Sequence, residues 1–204
     1  MSPFLLGIAG GSGSGKSTIV EQLLASPLAE HISLLSHDAY YKNADHMPSE
    51  LRDSQNWDHP DALDNELFLQ HVQDLLSGQP IARPVYDFAT HSRTEQTVTV
   101  TPKPILLLEG ILLFAINSIR EHIALRVYID TPADVRVVRR MVRDISERER
   151  SVQSVADQYQ TTVRPMHNRF VEPSRVHAHL VVPWLDYNEA AIETIVARLA
   201  YEIR

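Results

Sequence analysis

Segment 10–17 has the residue types and the spacing of a phosphate-binding loop. It contains the pattern G-x-x-x-x-G-K-S, ending in Gly15, Lys16 and Ser17, between an apolar run and a helical pattern. Glycines let backbone N–H groups turn inward around phosphate oxygens, and the N-terminus of the following helix adds partial positive charge. Lys16 can reach the terminal phosphates and the Ser17 hydroxyl can ligate Mg²⁺. An incidental Gly/Ser-rich turn would not require this position between a strand and a helix. The residues expected to bind a phosphoryl donor are Gly10, Gly11, Ser12, Gly13, Ser14, Gly15, Lys16, Ser17 and Thr18.

Two carboxylates follow predicted strands. Glu109 ends the apolar run ILLLE, and Asp38 lies just past the run ISLLS. Carboxyl ends of parallel strands meet at one edge of a sheet, where α/β proteins bind ligands. Beside a phosphate loop, Glu109 is expected to hold the metal and its water shell. Asp38 can accept the proton of an attacking hydroxyl. A solvated strand end for Glu109 and a turn-forming role for Asp38 are the alternatives.

Arginines are concentrated in and after the predicted helix 132–146. Five of the 19 Lys and Arg residues of this acidic chain fall within 139–150. At about 100° per residue one side of the helix carries Arg136, Arg140 and Arg143, and the other side carries Val138, Val142 and Ile145. Arg148 and Arg150 follow. The pattern favours a lid that covers transferring phosphates and excludes water. A solvated charged face is the alternative, because Asp144, Glu147 and Glu149 are interspersed.

The stretch NWDHPDALD, residues 56–64, allows two interpretations. Asp before Pro60 is typical of a helix start, where a carboxylate caps free N–H groups. The same cluster of acids beside Trp57 and His59 could bind a substrate. The local sequence does not decide between them.

The rest of the chain alternates apolar runs with helical patterns. Strands are predicted at 4–9, 32–36, 104–110, 125–130 and 178–182, and helices at 16–25, 61–77, 132–146, 152–170 and 188–203. This order predicts an α/β fold with a parallel sheet and helices on both faces. The alternating run TEQTVTVTP at 94–102 predicts a hairpin arm. The polar segment 37–60 is predicted to be a functional loop.

Composition limits the class of protein. The 204 residues, 44% of them hydrophobic, suffice for one domain spanning 1–204. Cys is absent, which excludes disulfides, thiol nucleophiles and Cys-ligated zinc. The short apolar run near the N-terminus ends in glycines and predicts neither a signal peptide nor a membrane span, so a cytoplasmic protein is expected. The net charge of −7 argues against a broad nucleic-acid surface.

The chain resembles the uridine/cytidine kinase family nearly from end to end. The resemblance is carried by GIAGGSGSGKST, DAYYK, NWDHPDALD, PVYDFATHSRTEQTVTV, ILLLEGIL, DTPADVRVVRRMVRDISER and QYQTTVRPM. It implies a P-loop NTPase fold of the nucleoside-monophosphate-kinase type, with a β-hairpin arm at about 85–103 and an Arg-rich lid at about 139–158. It also implies ATP or GTP as phosphoryl donor, Mg²⁺, uridine or cytidine as acceptor, and a homotetramer.

The resemblance also implies roles for individual residues. Asp38 matches the catalytic base and Asp58 the aspartate that grips the ribose hydroxyls. The nucleoside pocket is matched by Tyr41, Tyr86, Phe88, His91 and Gln158, although ordinary core packing also accounts for Tyr86 and Phe88. Four residues match the arginines of the lid. Arg140 and Arg150 are expected to bind the donor. Arg143 and Arg148 are expected to act in catalysis together with Lys16. Arg143 and Arg150 are expected to contact the acceptor as well, and Ser17 and Glu109 the metal.

Two features depart from the family pattern. Glu149 stands where Gly is common, between two lid arginines, and PWLDYN at 183–188 replaces a Pro-Arg-Gly near the expected base of the donor. The second departure leaves the choice between ATP and GTP open. Three other functions also stay open: a related P-loop kinase of the phosphoribulokinase or pantothenate kinase type, a regulator without catalysis, and a GTPase, although no N-K-x-D motif is present.

Overall fold

A five-stranded parallel sheet forms the centre of the fold. The structure is a computed structural model that describes residues 2–44, 55–88, 90–148 and 150–204. The sheet strands are β1 (Phe4–Gly10), β2 (Ile32–Ser36), β5 (Ile105–Glu109), β6 (Leu125–Asp130) and β7 (Leu180–Pro183). They lie in the order β2–β5–β1–β6–β7, all parallel. The ends of β1, β2 and β5 therefore open at one edge, which brings the phosphate loop, Asp38 and Glu109 together.

A separate two-stranded hairpin forms the predicted arm. Its antiparallel strands are β3 (Ile81–Asp87) and β4 (Ser92–Val100). The register shifts between Pro84 and Tyr86. Pro has no backbone N–H to donate, so an interrupted ladder is expected at that position.

Helices cover both faces of the sheet. They are α1 (Lys16–Leu24), α2 (Asn65–Leu76), α3 (Asn117–Arg120), α4 (Ala133–Arg148), α5 (Val152–Gln158), α6 (Arg164–Met166), α7 (Glu172–Ser174) and α8 (Glu189–Glu202). Wider π-helical turns, Tyr159–Val163 and His167–Val171, join α5, α6 and α7. The predicted helix 152–170 is therefore present, with π-helical turns between its α-helical parts and helical backbone angles at each junction. Pro165 lacks an N–H group and removes one hydrogen bond from this helix. Within the described ranges no helix has the length and apolar character to cross a membrane.

The core has one layer on each side of the sheet because successive strand residues point to opposite faces. Leu106 and Leu108 pack on one side with Phe68 of α2. Leu107 packs on the other side with Leu23 of α1. The predicted α/β architecture with helices on both faces is confirmed.

The predicted helix 61–77 begins later than expected. A short 3₁₀ turn, Pro60–Ala62, ends at Leu63, which is extended and bridges to Tyr41. Helix α2 then starts after Asp64, whose carboxylate accepts a hydrogen bond of 3.2 Å from the Leu67 amide. The bridge ties the segment after Asp58 to the segment after Asp38.

Helix α4 buries two of its arginines and exposes its apolar side. Arg136 and Arg140 are buried, whereas the exposed fractions are 59% for Val138, 64% for Val142 and 40% for Ile145. The arginine side packs on the phosphate loop, where the Arg136 guanidinium lies against Gly11. A merely solvated face therefore does not describe these two arginines.

Candidate active site

The phosphate loop connects β1 to α1 and is shaped by two glycines with left-handed backbones. Gly13 has φ 77° and Gly15 has φ 96°. A Cβ atom would lie 2.3 Å from the Arg136 carbonyl oxygen at Gly13, and 2.4 Å from the Trp184 ring at Gly15. Both the conformation and the lack of space require glycine. The loop is thus held between α4 and the segment after β7.

Lys16, Ser17 and Glu109 meet at the start of α1. Lys16 Nζ donates to the Gly11 carbonyl oxygen at 3.2 Å, and Ser17 Oγ donates to Glu109 Oε1 at 2.8 Å. Burial lowers the pKa of the Lys16 ammonium, and the Glu109 and Asp38 carboxylates oppose this shift. Burial raises the pKa of Glu109, and Lys16 and the Ser17 hydroxyl oppose it. The end of the sheet therefore holds a cation and an acid, both largely removed from water.

A cavity of about 510 Å³ opens beside this loop. Its lining includes every residue that the resemblance assigns to the nucleoside: Asp38, Tyr41, Asp58, Tyr86, Phe88, His91, Arg143, Arg150 and Gln158. Arg140, Arg148 and the loop residue Ser12 line it too. The chain contributes these residues from segments as distant as 12 and 158, so the fold alone brings them together. Their roles stay predictions.

Aromatic rings build one wall of the cavity. The ring centroids of Tyr41 and Tyr86 are 5.2 Å apart, and those of Tyr86 and Phe88 are 5.1 Å apart. His91 stacks on Trp57 at 4.9 Å, with 5° between the rings. His91 adopts φ 53°, which turns the chain at the tip of the hairpin. This wall offers π faces on which a flat base can stack.

Asp58 is a buried carboxylate in the same cavity. Thr162 Oγ1 donates to Asp58 Oδ2 at 3.4 Å. Burial raises the pKa of Asp58, while the Arg140 charge opposes this shift. The nearby caps are His59, which accepts from the Asp61 amide, and Asp64 at the start of α2. Asp58 therefore caps neither element, and the helix-start interpretation applies to its neighbours.

The arginines form a cluster around one aspartate. Arg140, Arg143 and Arg148 lie 3.3, 2.8 and 3.5 Å from the carboxylate of Asp144. The Arg140 contact is an ion pair outside hydrogen-bonding geometry. Asp144 is fully buried. We call these four residues the arginine cluster, and their net charge of about +2 faces the cavity.

Polar contacts tie the arginine cluster to the rest of the site. Arg140 Nη1 donates to Ser12 Oγ at 2.8 Å and its Nη2 donates to Gln158 Oε1 at 2.9 Å. Arg150 donates to Gln158 as well. Arg148 lies over the Phe88 ring, with Cζ 4.6 Å from the centroid. The cluster thus contacts both the phosphate loop and the aromatic wall.

Comparison with known proteins identifies the family of this chain. The model of the phosphoribulokinase/uridine kinase family matches residues 5–191. The chain belongs to this family.

Relatives within the family are similar over almost the whole chain. A uridine kinase of Bacillus subtilis (strain 168) is 43% identical over 198 residues, which cover 97% of this chain and 94% of that protein. A uridine kinase of Clostridium perfringens (strain SM101 / Type A) is 45% identical over 197 residues, covering 97% and 95%. The phosphoribulokinase structure from Rhodobacter spheroides has a TM-score of 0.66 at 15% identity, covering 89% of this chain and 70% of that one. The similarity to this phosphoribulokinase structure shows a shared fold alone.

Two structural features of the candidate site were not predicted from the sequence. Trp57 lines the cavity and stacks on His91. Its only signal was its place directly before Asp58. Asp144 was interpreted as a sign of a solvated face, although it is buried and holds three arginines. The i, i+4 spacing of Asp144 from Arg140 and Arg148 was the signal for this ion-pair group.

Asp144→Asn is expected to lower the free energy of unfolding by about 3 kcal/mol. The substitution keeps the volume of the side chain but leaves the buried Arg140 and the partly buried Arg143 and Arg148 without their counter-charge. Denaturant unfolding measures the loss. Glu147→Gln, which makes the same charge change at an exposed position of α4, is the matched control. Equal stability of the Asp144 variant and the native protein would contradict the role assigned to this carboxylate.

The departure PWLDYN lines a second cavity. This space of about 330 Å³ adjoins the phosphate loop and shares no lining residue with the first cavity. It is bounded by Gly15, Thr18, Arg139, Trp184, Leu185, Asp186 and Tyr187. Trp184 is buried against Gly15. The departure at Glu149 lies outside the described residues, as do positions 45–54 of the predicted loop 37–60.

Proposed function

We propose that this protein transfers the terminal phosphoryl group of a nucleoside triphosphate to the 5′-hydroxyl of uridine or cytidine, giving UMP or CMP. The observation that carries the proposal is the single cavity in which Asp38, Asp58, the aromatic wall and the arginine cluster face the phosphate loop. The relatives named uridine kinase, similar over nearly the whole chain, support the same acceptor.

Asp38 is proposed as the base. Its charge acts on both Lys16 and Glu109, and it lines the acceptor cavity. It therefore lies between the phosphate loop and the space for a nucleoside. Its carboxylate takes the proton of the 5′-hydroxyl while the hydroxyl oxygen attacks the terminal phosphorus of the donor in line. The bond between that phosphorus and the rest of the donor breaks, and the nucleoside diphosphate leaves. Lys16 and the arginine cluster stabilise the charge on the transferring group.

Asp58 and the aromatic wall are proposed to select the nucleoside. An ionised carboxylate only accepts hydrogen bonds, so Asp58 suits the 2′- and 3′-hydroxyls of ribose. A 2′-deoxyribose would leave one acceptor site of the buried Asp58 carboxylate unpaired, which weakens binding. Tyr41, Tyr86 and Phe88 offer faces for the base, and His91 offers ring nitrogens for its edge.

Ser17 and Glu109 fit a magnesium ion. Their hydroxyl and carboxylate oxygens meet at the phosphate loop, and oxygen ligands are the ones Mg²⁺ prefers. The ion would neutralise charge on the donor's phosphates.

The donor's base is assigned to the cavity bounded by Gly15, Thr18 and Trp184, because this cavity adjoins the phosphate loop and shares no lining residue with the acceptor cavity. The donor is ATP or GTP. The proposal also includes, on the strength of the family resemblance, homotetrameric assembly, a role in pyrimidine salvage and a cytoplasmic location.

Release of nucleoside diphosphate in a coupled assay tests the acceptor. Uridine and cytidine are expected to give turnover well above the blank without acceptor, and 2′-deoxyuridine, adenosine and ribulose 5-phosphate are expected to give little. Turnover with ribulose 5-phosphate but not with uridine or cytidine would overturn the proposal in favour of the other branch of the family.

A further inference from the structure

The segment after β7 gives the donor-base cavity an unusual set of groups. Trp184 is buried at its floor, and Tyr187 is 58% exposed at its side with ring centroids 5.9 Å apart. These rings provide apolar faces for a purine but do not tell adenine from guanine, because every base has a π face. Selection must then come from polar groups along the edge of the base.

Two backbone carbonyls that could accept a hydrogen bond from adenine are already engaged. The Trp184 carbonyl oxygen accepts from Thr131 Oγ1 at 3.0 Å and from Arg139 Nη1 at 3.1 Å. The Leu185 carbonyl oxygen accepts from Arg139 Nη2 at 2.5 Å. Thr131 Oγ1 also lies 2.9 Å from the Ser14 carbonyl oxygen and has one proton to donate, so Arg139 is the donor that each of the two carbonyls has to itself. Arg139 thus fixes this segment to α4 and occupies one acceptor position on each of the two carbonyls.

Asp186 is the carboxylate among the residues that line this cavity. It is exposed. Within the described part of the chain its carboxylate makes no hydrogen bond or ion pair. An ionised carboxylate presents two oxygens and donates nothing.

We propose that Asp186 makes this protein prefer a guanine nucleotide over an adenine nucleotide as phosphoryl donor; the inference rests on the proposed function for the location of the donor. Guanine carries N1–H and the 2-amino group side by side, and a carboxylate can accept from both in the bidentate manner. Adenine carries one amino group beside N1, whose lone pair repels a carboxylate oxygen. Discrimination therefore has an attractive part and a repulsive part.

Equilibrium binding of GDP, IDP and ADP to the full chain without nucleoside tests this preference by calorimetry. GDP is expected to bind about tenfold or more tightly than ADP. IDP, which lacks the 2-amino group, is expected to fall between them. Asp186→Asn is expected to lower GDP affinity about tenfold and to remove most of the difference between GDP and ADP. The control is Glu193→Gln, which removes an exposed carboxylate of α8 by the same acid-to-amide change. It is expected to change the affinity for neither GDP nor ADP.

Equal or tighter binding of ADP than GDP would overturn the inference, as would an unchanged ratio in the Asp186 variant. Because no acceptor is present, a preference for GDP that Asp186→Asn removes supports the inference even if uridine is not phosphorylated. Turnover of uridine together with an ADP preference would reject this inference and leave the proposed function standing.

Discussion

Asp38→Asn is expected to lower kcat for uridine by roughly 10²–10⁴ while uridine still binds. The amide keeps the size of the side chain and can still hydrogen-bond the 5′-hydroxyl, but it cannot take its proton. Lys16, the arginine cluster and the aromatic wall are untouched. The loss should therefore appear in kcat and hardly in the affinity for uridine, as for a group that acts only in the transition state.

Single-turnover kinetics and calorimetric binding of uridine separate the two quantities. Glu66→Gln, an exposed carboxylate in the first turn of α2, controls for the change of net charge. A near-normal rate for the Asp38 variant would remove this residue as the base.

Asp58→Asn is expected to lower kcat/KM for uridine by roughly 10² and to reduce the discrimination against 2′-deoxyuridine. The buried carboxylate is proposed to accept hydrogen bonds from ribose, and an amide offers only one acceptor oxygen. The substitution should act mainly on KM. Parallel kinetics with uridine and 2′-deoxyuridine measure both effects.

The same variant should be more stable than the native protein at neutral pH. Burial raises the pKa of Asp58 above its ordinary value, so the folded state holds the proton more tightly than the unfolded state. The free energy of unfolding therefore falls as pH rises from the ordinary pKa of Asp through the raised pKa of the folded state. Above the raised pKa, the ionised Asp58 destabilises the folded protein. Asp58→Asn removes that cost, and a higher Tm at pH 7 is expected.

Asp61→Asn, an exposed carboxylate in the adjacent turn, is the control for both measurements. A lower Tm with unchanged selectivity for ribose would show that Asp58 serves the fold rather than the substrate.

The phosphate loop and the central strands could be predicted because their signals are local. Gly15, Lys16 and Ser17 lie in one short motif between a strand and a helix. The apolar run ILLLE has no polar alternation, as expected for a strand covered on both faces. The α/β fold followed from such segments alone. The helix after Val152 could be predicted, but its π-helical turns could not, since helical periodicity continues through Pro165 without a change that marks them.

The arrangement of the site depends on contacts that a local pattern does not contain. Trp57 acquires its place from His91 on the hairpin, 34 positions away. The burial of Arg136 results from packing on Gly11, which is distant in sequence. The spacing of Asp144 suggested ion pairs, but its complete burial depends on how α4 lies against the phosphate loop. At Trp184, likewise, the sequence showed only that the arginine of the family pattern is replaced. The structure places this tryptophan at the floor of a cavity.

The position of the new phosphate on uridine is the sharpest test of the proposed arrangement. In that arrangement, one cavity directs the 5′-hydroxyl to Asp38 while Asp58 holds the other two hydroxyls. Phosphorus–proton NMR of the product made from uridine and a nucleoside triphosphate resolves the three positions. We expect uridine 5′-monophosphate as the sole phosphorylated form of uridine. A phosphate on the 2′ or 3′ oxygen, or no phosphorylated uridine, would contradict this arrangement.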